Sequence, residues 1–492
     1  MSKDSAETNY HRVHFVGMAG SGMAGLAYVA HKSGMSVSGS DLRESSYVQA
    51  LLREGVELIL EHRAANVADP ALELVVASTA IPSTNPELIA ARERGIPVWP
   101  RARMLAWLGQ GYEILAVAGT HGKTTTSSLL ATALMELGAD PSFLIGGVLN
   151  AYDTSAHVSE RGSMGGFSGS STGASAGDTT GDTGGGSSTG SSRRGFMVVE
   201  ADESDASFVE LDPHLAIITN IEADHMDHFE SLEEIKQSFL AFLDKLDDQG
   251  IAIVCADSPG LRELAEQSGK PYLSYGTDAE AHVRLDTQSH EVCFADGERV
   301  PLVLEASPGV HNLLNATAAL TALDWLGFDR GESAQALAAY AGAHRRFDRI
   351  GEAGGVVVVD DYAHHPTEID ATLKAAAGLG YSSVHLLFQP HRFTRTQAFL
   401  TEFATAFDDA TTVTLLPVYA AGEAPIPGID SHRMLRAIKQ HAPAARLRLI
   451  EQRELVARAM ATLAEPGSLI ITMGAGDVTY LAAEILAELE AS

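Results

Sequence analysis

The sequence predicts an α/β protein whose mainly parallel sheets are divided among about three domains. Strand-like apolar runs alternate with Ala- and Leu-rich helical stretches along the 492 residues, a pattern typical of parallel sheets covered on both faces. Many of these runs end in Gly, Asp, Asn or Gln, as parallel strands do where α/β proteins bind ligands. Two of them lead into glycine-rich loops. At roughly 150 residues per domain, the length suits three domains.

The motifs divide the chain into three blocks. Residues 1–108 hold the first glycine loop and its strands, and residues 109–343 hold the second glycine loop, an acidic motif and a His/Asp motif. Residues 344–492 begin at HRRFD and contain their own strand-like runs. Within the middle block, residues 162–192 are nearly all Gly, Ser and Thr. Such a segment cannot repay its ordering entropy, so it is predicted to be a disordered insertion.

Composition narrows the possible partners. The formal net charge of -30 argues against nucleic acid and anionic membranes, which bind proteins through clustered Lys and Arg. A local site of backbone N–H groups, a few cations and a metal ion can still bind a nucleotide. The N-terminus has no apolar signal region, and no run reaches the roughly 18 apolar residues of a membrane helix. Two cysteines, Cys255 and Cys293, imply no disulfide framework, so a cytoplasmic protein is predicted.

The second glycine loop is the strongest local signal. The segment GTHGKTT lies between a predicted strand, EILAVA, and a predicted helix, where backbone N–H groups and a helix N-terminus bind phosphates. Lys123 is expected to neutralise the β- and γ-phosphates, and the Thr124 hydroxyl to hold Mg²⁺. Val117 occupies the usual position of the first glycine, so the loop is a shortened variant. The predicted ATP-phosphate residues are Gly119, Thr120, His121, Gly122, Lys123, Thr124 and Thr125.

The first glycine loop also follows a strand-like run. It contains G-x-G-x-x-G at residues 20–25, and Asp41 ends the next run, so it is similar to a dinucleotide fingerprint. This predicts pyrophosphate binding without naming the nucleotide. The alternative is that the glycines only allow a helix to pack closely against a strand.

Acidic and basic motifs follow other predicted strands. VVEADESD at 198–205 and NIEADHMDH at 220–228 supply oxygen and imidazole ligands that, with Lys123 and Thr124, predict a nucleotide–Mg²⁺ site. HRRFD at 344–348, DDYAHHP at 360–366 and HRFTR at 391–395 supply cations suited to an anionic ligand. The alternative for the acidic motifs is that they are solvated loops. The alternative for the basic motifs is that their arginines form structural salt bridges.

Taken in order, these motifs identify a resemblance. GTHGKTT, EADESDASF, NIEADHMDHF, HNLLNATAA, RRFDRIGE, DDYAHHPTEI, FQPHRFTRT and YAAGEAPIPGIDS closely resemble the Mur ligases of peptidoglycan synthesis, over nearly the whole chain except the Gly/Ser insertion. The resemblance implies a Rossmann-like UDP-sugar domain, a central P-loop-type ATPase domain with a mainly parallel sheet, and a Rossmann-like C-terminal domain that closes on ATP and amino acid.

The resemblance also implies the reaction. The motif wording favours ATP-dependent ligation of L-alanine to the lactyl carboxylate of UDP-N-acetylmuramate through an acyl phosphate. The implied cofactors are ATP and Mg²⁺, the partners are small molecules, and the protein is expected to be a monomer or homodimer. Three alternatives stay open: the recycling paralogue that adds a tripeptide to the same sugar nucleotide, an NAD-dependent oxidoreductase based on residues 20–25, and a non-catalytic nucleotide-binding regulator.

Roles follow from the resemblance residue by residue. The implied catalytic residues are Lys123, His225, Arg346 and Asp361, and the implied Mg²⁺ ligands are Thr124, Glu200 and His225. Arg346 and Asp361 are also implied to reach ATP, with Asn312 or Asn315 near the adenine. The implied UDP-sugar residues are Gly17, Gly20, Gly22, Asp41 and His365, and those for the amino acid and substrate are Tyr362, His391, Arg392 and Arg395.

Overall fold

A computed structural model describes residues 9–159, 194–202, 207–222, 229 and 231–491. The predicted insertion at 162–192 lies outside these residues. Within them, the strands form three sheets that are mostly parallel, which confirms the α/β class. The chain divides into two compact units, the first comprising residues 1–146 and 155–274 and the second residues 147–154 and 275–492.

The first sheet belongs to the first unit. Its strands run in the order β3-β2-β1-β4-β5, and every neighbouring pair is parallel. This is the order of half a Rossmann fold, in which ligands bind where the chain leaves β1 and reverses its direction of winding. The strands are β1 Arg12–Val16, β2 Ser36–Ser40, β3 Glu57–Ile59, β4 Leu74–Ala77 and β5 Val98–Pro100, and the helices are α1 Ser21–Lys32, α2 Gln49–Arg53, α3 Pro86–Glu93 and α4 Arg101–Gly109.

The second sheet begins in the same unit. Its strands are β6 Glu113–Ala118, β7 Ser142–Leu149, β8 Thr154–His157, β9 Phe196–Glu200, β10 Leu215–Ile218, β11 Ile251–Cys255 and β12 Tyr272–Gly276, with helices α5 Lys123–Glu136, α6 Leu232–Leu243 and α7 Leu261–Ser268. The strands β11-β10-β6-β9-β7 are parallel neighbours. Since parallel strands end at one edge, this order brings the ends of β6, β9 and β10 together.

The second unit opens with an antiparallel meander followed by two helices. These elements are β13 Val283–Asp286, β14 Glu291–Phe294, β15 Arg299–Pro301, α8 Val310–Leu326 and α9 Arg330–Ala338. Arg330 ties them together, because its guanidinium bonds Asp324 at 2.7 Å and Glu298 at 2.8 Å and lies 3.9 Å from the Phe294 ring.

The third sheet lies within the second unit and has the order β16-β17-β21-β18-β19-β20. Only its edge strand β16 is antiparallel to its neighbour, and the register is irregular between Arg349 and Gly351. Apolar clusters cover both faces. The strands are β16 Asp348–Ala353, β17 Val356–Asp361, β18 Ser383–Phe388, β19 Thr412–Leu415, β20 Arg446–Leu449 and β21 Ser468–Met473, and the helices are α10 Pro366–Ala377, α11 Phe393–Ala398, α12 Leu400–Phe403, α13 Ser431–His441, α14 Val456–Leu463 and α15 Thr479–Glu490.

Within the described part of the chain, no helix combines the length and apolar character needed to cross a membrane.

Candidate active site

The loop between β6 and α5 can be formed only with glycine at its first position. Gly119 has φ +129°, and an added Cβ would lie 2.1 Å from Thr219 Oγ1. Gly122, with φ 83°, is the N-cap of α5. The chain therefore turns tightly from strand to helix, and the first-turn N–H groups of α5 have no acceptor within the helix. This is the geometry of a phosphate-binding loop.

The neighbouring strand β10 holds this loop through the residues that follow it. Asn220 Oδ1 accepts from His121 N at 2.8 Å, and Asn220 Nδ2 donates to His121 O at 3.0 Å. Thr219 Oγ1 donates to the same carbonyl at 2.5 Å, and Thr120 Oγ1 accepts from Glu222 N at 2.8 Å. In the sequence, Asn220 belongs to a predicted metal-binding motif, and that motif does not indicate this role in holding the loop.

Lys123 and Thr124 begin α5 and carry the chemistry predicted for the loop. Lys123 Nζ donates to Gly119 O at 2.6 Å and to Thr120 O at 3.2 Å, so the ammonium lies over the loop. Thr124 Oγ1 donates to Glu200 Oε1 at 3.1 Å. Thr125, also predicted at this site, is buried at the start of the helix.

Glu200 stands at the end of β9 beside the Thr124 hydroxyl. Its Oε2 accepts from Gly146 N at 2.8 Å, and a Cβ on Gly146 would lie 2.7–2.9 Å from the carboxylate. Neighbouring carboxylate and hydroxyl oxygens are the donors that Mg²⁺ prefers, so these residues fit the implied metal. The third predicted ligand, His225, lies outside the described residues.

Asp41 holds the first glycine loop in place. Its Oδ2 accepts from Ala19 N at 2.9 Å and its Oδ1 from Leu42 N at 2.7 Å. Gly17 has φ +81°, with an added Cβ 3.1 Å from Ser78 Cβ, and therefore requires glycine. Gly20 is the N-cap of α1 at φ -67°, and its added Cβ would meet nothing closer than 3.7 Å. Gly20 thus leaves open space at the helix N-terminus.

A buried polar network lies next to the first glycine loop and is joined to it through Ser40. Ser40, whose carbonyl accepts from Gly17 N at 2.9 Å, donates through Oγ to Glu87 Oε2 at 2.8 Å. His62 Nδ1 lies 2.8 Å from the same oxygen, and His14 Nε2 lies 3.6 Å from Glu87 Oε1. Burial opposes ionisation of Glu87, but hydrogen bonds from these groups and Asn66 outweigh it and lower the pKa. The carboxylate therefore stays charged, and no motif in the sequence indicates Glu87.

Arg101, at the start of α4, lies against the first turn of α1. Its Nη1 is 2.9 Å from the position that a Cβ on Gly22 would occupy. Its Nη2 is 3.7 Å from Asp202 Oδ2, two residues beyond Glu200. Gly22 was predicted as a ligand-binding glycine, and the structure shows that it makes room for a guanidinium. Arg101 itself was missed.

In the second unit, Asp361 closes β17 and organises the RRFD segment. Its Oδ2 accepts from Phe347 N and its Oδ1 from Ala363 N, both at 2.8 Å. Burial raises the pKa of Asp361 to about 6. The Arg346 guanidinium lies 5.3 Å from the Tyr362 ring centroid, so three predicted residues, Asp361, Arg346 and Tyr362, lie together.

The adjacent Arg345 plays a structural part. It has φ 61°, and its Nη2 donates to Gly474 O at 2.5 Å and to Gly476 O at 3.3 Å. Its Nε lies 3.5 Å from Asp360 Oδ2. Arg345 thus holds the loop after β21, and no motif in the sequence indicates that loop.

The predicted amino-acid residues surround the end of β18. The His391 ring stacks on Tyr419, with centroids 5.8 Å apart, and its Nδ1 lies 3.3 Å from Arg395 Nη1. Burial, with repulsion from His364 and neighbouring arginines, lowers the pKa of His391 to about 3, so the imidazole is neutral. Arg392 has φ 68° at the start of α11.

His365 and the paired asparagines have structural contacts of their own. His365 is the N-cap of α10, where its Nδ1 accepts from Thr367 N at 3.4 Å. Asn312 and Asn315 lie one turn apart on α8, joined by a 3.3 Å hydrogen bond from Asn315 Nδ2 to Asn312 Oδ1. Both asparagines are buried.

A parallel strand, a tight glycine loop carrying a lysine, and a helix that begins there define a nucleotide-binding α/β protein of the P-loop type. Three family descriptions match the chain: "Mur ligase family, catalytic domain" at residues 12–113, "Mur ligase middle domain" at 117–323, and "Mur ligase, glutamate ligase domain" at 345–476. The chain belongs to the Mur ligase family.

Individual relatives refine this comparison. The UDP-N-acetylmuramate–L-alanine ligase of Methylobacterium nodulans is 41% identical over 97% of each chain, and that of Solidesulfovibrio magneticus is 40% identical over 96% of this chain and 97% of its own. A crystal structure of UDP-N-acetylmuramate-alanine ligase from Thermotoga maritima matches with a TM-score of 0.75 and 25% identity, covering 98% of this chain and 100% of that one. A murein peptide ligase from Psychrobacter arcticus matches with a TM-score of 0.68 at 24% identity, covering 98% and 99%, which shows the shared fold alone.

Proposed function

We propose that this protein joins L-alanine to the lactyl carboxylate of UDP-N-acetylmuramate, using ATP, in peptidoglycan precursor synthesis. It is an ATP-dependent, amide-forming ligase. The observation that carries the proposal is the loop from Gly119 to Lys123, with Thr124 and Glu200 hydrogen bonded beside it, in a chain about 40% identical over nearly its full length to alanine ligases.

The first step of this reaction brings a carboxylate up to a triphosphate, so two anions must approach each other. Cationic and dipolar groups placed in advance cancel that repulsion. Here the ammonium of Lys123 and the first-turn amides of α5 serve the phosphates. Thr124 and Glu200 would hold Mg²⁺, with His225 as the third ligand, and the ion would neutralise phosphate charge. The carboxylate displaces ADP from the γ-phosphate and becomes an acyl phosphate. The amine of L-alanine then displaces phosphate from the acyl carbon and loses a proton as the amide forms.

The second unit is assigned the remaining contacts. We assign ATP contacts to Arg346 and Asp361, and adenine contacts to Asn312 or Asn315. Arg392 and Arg395 suit a carboxylate ligand, because guanidinium groups bind carboxylates through two parallel hydrogen bonds. A neutral imidazole with a pKa of about 3 is too weak a base to accept a proton near pH 7. His391 is therefore assigned to binding, together with Tyr362.

The three blocks found in the sequence are proposed as domains. Residues 1–108 bind the UDP-sugar through Gly17, Gly20 and Gly22, with Asp41 shaping the loop. Residues 109–343 bind ATP, and residues 344–492 bind nucleotide and amino acid. His365 is retained as a UDP-sugar residue in this proposal, although its observed contacts are those of a helix cap.

The other functions considered are less well supported. Relatives at about 40% identity over nearly the whole chain are named as alanine ligases, whereas the matching murein peptide ligase is 24% identical. An oxidoreductase would use the first glycine loop but would leave the Lys123 loop without a role. Membership of a ligase family also favours catalysis over a regulatory nucleotide site.

A phosphate-release assay tests the proposal. The purified protein is given UDP-N-acetylmuramate, ATP, Mg²⁺ and one amine at a time from a panel that includes L-alanine, glycine, L-serine and the recycling tripeptide. We expect release to require both carboxylate and amine and to be fastest with L-alanine. Preference for the tripeptide would establish the recycling reaction instead, and ATP hydrolysis independent of both substrates would refute the ligase assignment.

A further inference from the structure

The first glycine loop contains no lysine or arginine in residues 17–25, although its proposed ligand carries a diphosphate. A helix N-terminus contributes only partial charge, and the protein as a whole has a formal charge of -30. A cation supplied from another element would strengthen the binding of a doubly charged diphosphate. Arg101 lies against this loop, where its guanidinium can supply that charge.

Gly22 shows how closely the guanidinium approaches. A Cβ at this position would lie 2.9 Å from Arg101 Nη1 and 3.5 Å from its Cδ and Cζ. Only a residue without a side chain lets the guanidinium lie directly against the helix backbone. The amides of Ser21, Gly22 and Met23 open α1 and have no acceptor within the helix. A phosphate that accepts from these amides comes within reach of Arg101.

The ion pair between Arg101 and Asp202 is long. Arg101 Nη2 lies 3.7 Å from Asp202 Oδ2, and the Asp202 side chain is 40% exposed. Charge-assisted hydrogen bonds between guanidinium and carboxylate are about 2.7–2.9 Å long, and exposed ion pairs of looser geometry contribute little stability. The Arg101 side chain is itself only 22% exposed, which strengthens its interaction with an incoming anion. This long contact with Asp202 therefore leaves the guanidinium able to bind an incoming anion.

We propose that Arg101 binds the diphosphate of the sugar nucleotide and that Gly22 is required to seat its guanidinium. This rests on the proposed function, because it takes the diphosphate of a UDP-sugar as the ligand of the first loop. The same guanidinium faces Asp202, two residues from Glu200, so Arg101 lies on the side of the loop toward the ATP-binding residues of its unit.

Steady-state kinetics with separate variation of each substrate tests this role. For Arg101→Ala we expect the KM for UDP-N-acetylmuramate to rise about 10- to 100-fold, as for loss of a hydrogen bond to a charged group. The KM values for ATP and L-alanine should stay within about twofold. Arg101→Lys should recover part of the loss, because it restores the charge without the planar fork.

Two further variants and a control test whether the effect on KM depends on the position of the Arg101 guanidinium. Gly22→Ala keeps the arginine but displaces its guanidinium, so it should raise the same KM while leaving the other two unchanged. Asp202→Asn should leave the KM for UDP-N-acetylmuramate unchanged or lower it, since it removes a competing carboxylate. Arg103→Ala is the matched control: Arg103 is exposed on the same helix, lies 4.5 Å from the Trp99 ring, and should not affect any KM.

Calorimetric titration with UDP and UMP distinguishes the possible failures. The parent protein should bind UDP more tightly than UMP, and Arg101→Ala should lose most of that preference. A parent protein that neither binds nor turns over UDP-N-acetylmuramate would remove the proposed function itself. A parent that does both, with an Arg101→Ala variant that keeps its KM and its UDP preference, would overturn the role of Arg101 alone. A rise in KM for Asp202→Asn as large as that for Arg101→Ala would show that the ion pair is structural.

Discussion

The side chain of Asn220 hydrogen bonds both the backbone N–H and the backbone C=O of His121. Its Oδ1 accepts from His121 N at 2.8 Å and its Nδ2 donates to His121 O at 3.0 Å. The two residues are 99 positions apart in the chain, and the contact fixes the middle of the phosphate loop. Fixed donors stabilise charge without reorganising during the reaction, so this amide prepares the loop for its ligand.

Replacing Asn220 with alanine should therefore weaken ATP binding. Loss of the Asn220 amide deprives the partly desolvated N–H of His121 of this acceptor, at a cost of about 1–3 kcal/mol, whereas His121 O keeps its hydrogen bond from Thr219. We expect the KM for ATP to rise about tenfold, together with a lower melting temperature. Asn85→Ala is the control, because it removes the N-cap of α3 and should lower the melting temperature without changing the KM for ATP. Equal KM changes in both variants would contradict a specific role for Asn220.

Lys123→Ala should abolish ATP-dependent product formation. The ammonium lies over the loop within 2.6 Å of Gly119 O, where it can reach bound phosphates. Losing one preorganised charge-stabilising group commonly reduces kcat by about 10²–10³, and product should fall at least that far in a coupled assay. Lys245→Ala, which removes a half-exposed lysine 3.8 Å from Asp212 in the same unit, should keep turnover within about twofold. Near-normal activity of Lys123→Ala would refute its role.

Gly146→Ala should raise the Mg²⁺ concentration needed for activity. The added methyl group would lie 2.7–2.9 Å from the Glu200 carboxylate, and it must displace the proposed metal ligand. We expect the half-saturating Mg²⁺ concentration to increase about tenfold, equivalent to about 1.4 kcal/mol of binding. Gly111→Ala is the matched control, since an added Cβ there meets nothing within 4 Å. An unchanged Mg²⁺ dependence in Gly146→Ala would show that Glu200 does not hold the ion.

Asp361 should make stability depend on pH. Burial raises its pKa from an ordinary 3.8 to about 6 in the folded protein, so the folded state binds this proton more tightly than the unfolded state does. Its contribution to stability is therefore greatest below about pH 4 and declines as pH rises through about 6. The Asp361→Asn variant has no group that titrates at this position. Between about pH 4 and pH 6, the free energy of unfolding of the parent should therefore fall by up to about 3 kcal/mol relative to that of the variant.

Urea unfolding of the two proteins between pH 4 and 7.5 measures this difference. Because all other titrating groups are shared, only the difference between the two free energies of unfolding reports Asp361. The lost carboxylate hydrogen bonds add an offset that does not depend on pH. A difference that stays constant across the range would mean that Asp361 titrates alike in the folded and unfolded states.

Local patterns made much of the phosphate loop predictable. The strand, the Gly-Lys turn and the helix are consecutive in sequence, so Gly119, Gly122 and Lys123 could be placed together without knowing the fold. The clamp from Asn220 and the approach of Arg101 to Gly22 could not, because they depend on which strands and helices become neighbours. For these contacts, the sequence indicates only that polar residues follow buried strands.

The role of His365 as a helix cap could not be predicted from the sequence either. His365 was predicted as a UDP-sugar residue, and the structure shows its ring nitrogen accepting from the backbone of Thr367. The glutamate three residues later bonds back to the His365 amide, which is the pattern of a capping box. Histidine is not among the residues preferred at helix N-caps, so propensity alone did not reveal it.

The two outer strands of the third sheet have consequences for the behaviour of the protein at high concentration. An outer strand exposes unpaired backbone groups that can recruit another chain and begin aggregation. Here β16 carries Asp348, Arg349 and Glu352 and breaks its register after Arg349, and β20 carries Arg446 and Arg448. Charge and irregularity of this kind discourage ordered stacking between molecules. Neutral replacements on these strands are therefore the substitutions expected to compromise solubility first, even where catalysis is untouched.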